Sequence, residues 1–206
     1  TVTGFSPSAP FAPCNIGCLG SGPAREVAEF AATYRGEKRV RFILVDQDDS
    51  ALAYVSRLLP PLLVGTEGLV EVQYLHVAFK QLLRSRELFE TIPRAHLIYS
   101  GGLFDYLDER PAKVLMGSLF DKVAPSGRLL VGNFAGPPRH AWAPSHILDW
   151  DLKYRTKAEM RDLVSELPET VDEVNVETEP SGLQFFVSVR KRAAVPVPKP
   201  AAAMGE

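Results

Sequence analysis

Short apolar runs rich in Val, Ile and Leu alternate along the chain with longer segments whose apolar residues recur every three or four positions. That alternation predicts βαβ units built on a parallel sheet. Five strands are expected, over residues 14–19, 39–45, 70–75, 95–99 and 128–134. The helices between them fall at 23–34, with Pro23 suited to a first turn; at 50–59, where Pro60 and Pro61 are expected to stop the helix; at 79–89; and from about Asp108, with Pro111 inside its first turn. The fifth strand is entered through Pro125-Ser126-Gly127.

Beyond strand five the pattern changes. A proline-rich loop over 135–145 and an aromatic-rich stretch over 147–155 lead to a helix that Thr156 and Glu159 start as a capping box, reaching about Leu167. Residues 171–179 and 183–190 then alternate polar with apolar across Pro180-Ser181-Gly182, the signature of an antiparallel hairpin. The expected domain is therefore 14–192. Residues 1–13, with three prolines and no initiating methionine, read as the loop of a truncated chain whose N-terminal segment is missing; the Ala/Pro-rich stretch 193–206 reads as a disordered tail or linker.

At 206 residues a single domain can bury roughly 70% of its unfolded surface. A net charge of −2 supplies no broad basic field for a nucleic acid backbone, so a small-molecule partner fits better. The two cysteines, Cys14 and Cys18, lie on one strand at a spacing too long for easy bridging, and are expected to be reduced and buried. No run approaches the roughly 20 apolar residues of a membrane span and no signal peptide is visible, which makes the cytoplasm the expected compartment.

The candidate chemistry begins at the turn after strand one, Leu19-Gly20-Ser21-Gly22-Pro23-Ala24. Its glycines let backbone approach a ligand at the opening of a helix, although plain tight turns use the same composition. Strand two ends on Asp46, about 22 residues after Ala24, where a nucleotide-binding sheet places the carboxylate that takes both ribose hydroxyls. Capping the next helix is the other use of Asp46, but Asp48, Asp49 and Ser50 are better placed for it. Arg25 stands where the dinucleotide fingerprint wants a third glycine, and the chain closes on an antiparallel hairpin; both disfavour an NAD(P)-binding oxidoreductase.

The segments Gly20-Ser21-Gly22-Pro23-Ala24-Arg25-Glu26, 97–107 (LIYSGGLFDYL), 127–134 (GRLLVGNF), Leu148-Asp149-Trp150 and Tyr154-Arg155-Thr156 resemble the bacterial methyltransferases that make 3-hydroxypalmitic acid methyl ester. The resemblance spans roughly 14–190. It implies a class I, Rossmann-like α/β fold: a three-layer sandwich around a mostly parallel seven-stranded sheet with an antiparallel C-terminal hairpin. It also implies S-adenosylmethionine as methyl donor, S-adenosylhomocysteine as product, and a small-molecule or lipid-like acceptor, with a fatty acid carboxylate as one candidate. Carried over by position, Gly20, Ser21 and Gly22 would pass under the methionine part of the cofactor, Asp46 would hold the ribose with Gln47 beside the adenine, His76 and Val77 would flank the adenine ring, and Ser100 and Gly101 would border the place where donor and acceptor meet. The sequence departs from the family at Cys18, where an acidic residue normally contacts the methionine amino group, and in lacking the N-terminal segment that lids such sites.

Methyl transfer from a sulfonium needs in-line alignment at about 3 Å and exclusion of water more than it needs a base. An acceptor carboxylate, with a pKa of about 4, is already ionised and needs only a cation or donors to aim it. Arg155 and Tyr154 are natural choices, because an arginine fork holds a carboxylate with defined geometry; a solvated helix start is the plainer use of Arg155. Tyr106, Asp149 and Trp150 are the other groups expected at this edge. His140 and His146 flank Trp142 but match no standard ligand spacing, so no metal is expected. A degenerate methyltransferase fold kept as a binding module is the non-enzymatic alternative.

Overall fold

Strand β2 (Val40–Asp46) is buried along almost its whole length, the mark of a strand covered on both faces. Its odd and even positions feed different cores. Ile43 and Val45 join Leu19, Ile98, Leu129 and Val131 under one helical layer, whereas Val40, Phe42 and Leu44 join Cys18 under the other. The computed structural model describes residues 12–84, 93–136 and 152–194.

Around β2 lie β1 (Cys14–Leu19), β3 (Val70–His76), β4 (Ala95–Ser100), β5 (Val123–Phe134), β6 (Val171–Thr178) and β7 (Gln184–Lys191). They form one sheet in the order β3-β2-β1-β4-β5-β7-β6. Strands β1 to β5 are parallel, and β7 runs antiparallel to both of its neighbours, β5 and β6. This is the seven-stranded Rossmann-like class I architecture expected from the sequence.

Helices α1 (Arg25–Thr33) and α2 (Asp49–Val64) cover one face. Helix α4 (Glu109–Lys122), beyond the short α3 (Phe79–Arg84), covers the other with Ala112, Leu115, Met116, Leu119 and Phe120, an apolar stripe at helical spacing. A 3-10 turn, Leu103–Tyr106, follows β4 and buries Leu103 and Phe104. Helix α5 (Lys157–Asp162) carries the expected capping box: Thr156 Oγ1 accepts from the Glu159 N–H at 3.2 Å, and the Thr156 N–H donates back to Glu159 Oε2 at 2.7 Å.

Several boundaries differ from expectation. Helix α2 runs through Pro60 and Pro61 to Val64, because both prolines face water while Leu62 and Leu63 carry the apolar stripe onto the core. Helix α1 begins after Pro23, since Ala24 at its N-cap adopts a left-handed conformation (φ 43°). Pro125-Ser126-Gly127 lies inside β5 as an irregularity against β4, with Ser126 at φ 62°. Helix α5 is shorter than expected and continues as turns. Cys18 is buried but Cys14 only half-buried, and both are free thiols. Residues 1–11, the expected helix beyond Arg84, and the proline-rich loop with His140, Trp142, His146, Asp149 and Trp150 lie outside the described residues, as does the tail from 195.

Candidate functional site

In this strand order β1 has β2 on one side and β4 on the other, so successive connections leave the β1–β4 gap in opposite directions. Open α/β sheets bind ligands in the crevice outside the carboxyl ends of the strands at such a switch point. Gly20, Ser21, Gly22, Asp46, Gln47, His76, Val77, Ser100 and Gly101 stand at or just beyond the carboxyl ends of β1, β2, β3 and β4.

The turn after β1 uses positive φ at Gly20 (65°) and Gly22 (48°) as well as at Ala24, conformations that a side chain at the two glycine positions would strain. A Cβ on Gly20 would also press on Leu103 Cβ at 3.3 Å, whereas one on Gly22 would enter open space. The turn is tied to the end of β2: Gly20 N–H donates to Val45 O at 2.9 Å, and Gly22 N–H donates to Asp46 Oδ2 at 2.7 Å. The Asp48 N–H donates to Asp46 Oδ1 at 2.9 Å. Asp46 is only 7% exposed, so two backbone donors fix its carboxylate while leaving each oxygen a further lone pair, enough for a vicinal diol. Capping of α2 falls instead to Asp48, which accepts from the Ser50 N–H at 2.8 Å.

His76 sits opposite Asp46 in the β2–β3 ladder, and its Nε2 lies 3.0 Å from the Gln47 carbonyl. Val77 is buried and donates its N–H to Asp46 O at 2.9 Å. Asp46, Gln47, His76 and Val77 thus form one continuous corner. Ser100 ends β4, 1% exposed, and Gly101 O accepts from Gln184 Nε2 at 2.7 Å. The Oγ atoms of Ser21 and Ser100 are both buried and have no hydrogen-bond partner among the described residues. Buried hydroxyls are normally satisfied, so these two fit a polar ligand lying along the edge between glycine turn and β4. The diol-ready carboxylate, open backbone at Gly22 and spare hydroxyls together suit a nucleoside carrying a polar extension.

The acceptor side differs from expectation at Arg155. Its guanidinium, 6% exposed, turns inward: Nη1 donates to Phe104 O at 2.8 Å and to Asn133 Oδ1, and Nη2 donates to Leu107 O at 2.5 Å. Neither a solvent-facing fork for a carboxylate nor a solvated helix start describes it, because its donors are spent on Phe104 O, Asn133 Oδ1 and Leu107 O. Tyr154 packs on Phe134, ring centroids 6.3 Å apart, and Tyr106 is 53% exposed at the end of the 3-10 turn.

Two residues in this region were not picked out from the sequence. Asp105, 1% exposed, accepts from the Phe134 N–H at 2.7 Å. Burial pushes its carboxyl up to about 6, against the opposing pull of that N–H and of Arg155. Asn133, fully buried, donates to Phe134 O and Lys153 O while accepting from Arg155. A polar residue inside the apolar run 128–134 was the one available signal for Asn133. Asp105 had none, since its partner lies 29 residues away.

Among the described residues no group of three or more His, Cys, Asp or Glu is placed to hold a metal ion, and no helix is long and apolar enough to cross a membrane. No protein-family model and no curated protein matches the sequence. Solved structures do match in fold. One is a protein from Bordetella parapertussis described as a possible exported protein, at 17% identity and TM-score 0.68, covering 89% of this chain and 63% of that one. Human N-acetylserotonin methyltransferase in complex with SAM matches at 14% identity and TM-score 0.61, covering 87% and 48%. Magnesium protoporphyrin IX methyltransferase from Synechocystis PCC 6803 with bound SAH matches at 9% identity and TM-score 0.61, covering 88% and 76%. The chain therefore has the fold of S-adenosylmethionine-dependent methyltransferases and spans about half to two thirds of the length of the first two of these proteins.

Proposed function

We propose that this chain is an S-adenosylmethionine-dependent methyltransferase domain acting on a small-molecule or lipid-like acceptor, with a fatty acid carboxylate the first class to test. The observation that carries the reading is the placement of β7, reversed, between β5 and β6, on a sheet whose β1–β2 corner presents Asp46 as a diol acceptor. A dinucleotide-binding sheet instead continues in the order 3-2-1-4-5-6, so the topology favours methyl transfer over hydride transfer.

In this reading Asp46 accepts from the ribose hydroxyls, Gln47, His76 and Val77 border the adenine, and Gly20, Ser21, Gly22, Ser100 and Gly101 line the remainder of the donor. The bound sulfonium supplies an already activated methyl group, so the chain's own task is to align and to exclude water. Tyr106 and Tyr154 are proposed to face the acceptor, and Arg155 to act on it indirectly by holding the 3-10 turn in place.

Calorimetric titration with S-adenosylhomocysteine, NAD and NADP tests the assignment. Saturable binding of the first alone is expected. Asp46→Ala should weaken that binding by about 100-fold, the worth of two hydrogen bonds to a charged group. Binding of NAD in place of S-adenosylhomocysteine would overturn the reading, and cofactor binding with no methyl transfer to any acceptor would favour a binding module.

A further inference from the structure

Beside the β1–β4 gap stands a carboxylate to which the sequence reading gives no role. Glu26, in the first turn of α1, extends across the carboxyl ends of β1 and β4. Tyr99 Oη on β4 donates to its Oε1 at 2.7 Å, a bond linking residues 73 apart, and Cys18 Sγ on β1 points at the same oxygen from 3.9 Å. Burial pushes both the Cys18 thiol and the Tyr99 hydroxyl up, so both are protonated donors at neutral pH and neither carries charge. Glu26 is exposed, and no lysine or arginine among the described residues pairs with it. Exposed acidic side chains usually sample many rotamers; this one has its orientation set by two other elements, while its second oxygen meets no donor among the described residues.

A fixed carboxylate that no cation among the described residues pairs, beside a glycine turn and two hydroxyls unpartnered among those residues, is complementary to a cationic group on a ligand. Asp46 marks the diol end of the ligand at β2. The opposite end, over β1 and β4, is where Glu26 stands. We propose that Glu26, held by Tyr99 and Cys18, binds the primary ammonium of the donor's amino-acid end. The inference rests on the methyltransferase reading above. It gives this chain the negative charge that Cys18 cannot supply at its own position.

The test compares two ligands that share the adenosine portion: S-adenosylhomocysteine, which has the α-ammonium, and 5′-methylthioadenosine, which has no amino-acid group. In calorimetric titrations Glu26→Gln should weaken S-adenosylhomocysteine by roughly tenfold, the scale of one charge-assisted hydrogen bond, while 5′-methylthioadenosine affinity stays within twofold of the parent. Tyr99→Phe, which frees the carboxylate without removing it, should show the same selectivity with a smaller loss. Equal losses on both ligands, or no loss on S-adenosylhomocysteine in a folded Glu26→Gln protein, would overturn the inference while leaving the methyltransferase reading intact. Failure of the parent protein to bind either ligand would instead overturn that reading, and the role of Glu26 with it.

Discussion

At the β1–β2 side of the carboxyl edge, Asp46 takes its N–H donors from Asp48, two residues on, and from Gly22 in the turn alongside. At the β4–β5 side, Arg155 reaches back 51 residues to Phe104, 48 to Leu107 and 22 to Asn133, and Asp105 reaches 29 residues to Phe134. The first arrangement leaves a carboxylate with spare lone pairs at the surface of a crevice. The second consumes its polar groups internally, joining the 3-10 turn, the end of β5 and Arg155, which forms a β-bridge with Ala135. One side therefore keeps polar atoms free for a further partner, and the other uses its own to tie neighbouring segments together.

The largest effect expected from this contrast is on stability at the second side. Arg155→Met takes the guanidinium donors from Asn133 Oδ1 and Leu107 O, and leaves Phe104 O with the Leu107 N–H alone; it should lower unfolding free energy by about 3 kcal/mol in urea titrations, and a variant as stable as the parent would break the comparison. Next comes pH. Asp105 has a folded value of about 6, above the unfolded value near 4, so the folded state binds the extra proton. Stability from this group is present at low pH and should fall by about 2 kcal/mol as pH rises between roughly 4 and 6. Asp105→Asn should flatten that slope in unfolding curves taken across the same range, and an unchanged slope would remove Asp105 from the internal network. The smallest effect belongs to the glycine turn. Gly22→Ala meets no neighbour but forces a left-handed backbone, a cost of about 1 kcal/mol. A loss of several kcal/mol there would mean that the turn, too, is part of the internal scaffold.

The same contrast explains what was legible in the sequence. The five parallel strands and the hairpin follow from periodicity, and the Gly20–Gly22 turn with Asp46 is recognisable because glycine freedom and the β2 end are local properties. Arg155 departs from its local reading because nothing near Thr156 in the sequence tells that its guanidinium donates to Phe104 O. Glu26 carries no local signal, because the feature that singles it out, the Tyr99 hydroxyl, arrives from a strand far along the chain. Pro60 and Pro61 misled for a related reason: local chemistry says stop, and the burial of Leu62 and Leu63 overrides it.

The position of β7 has a consequence for how the molecule is made. During synthesis β5 emerges before β6 and β7, yet its only neighbour on that side is β7. The last of the described strands is thus a wedge set between two earlier ones, and the growing polypeptide carries an unpaired β5 edge until that wedge appears. Elongation at about 5–20 residues per second leaves the edge uncovered for several seconds, long enough for another nascent chain to pair with it, so crowding of ribosomes on one message is a hazard written into the topology itself.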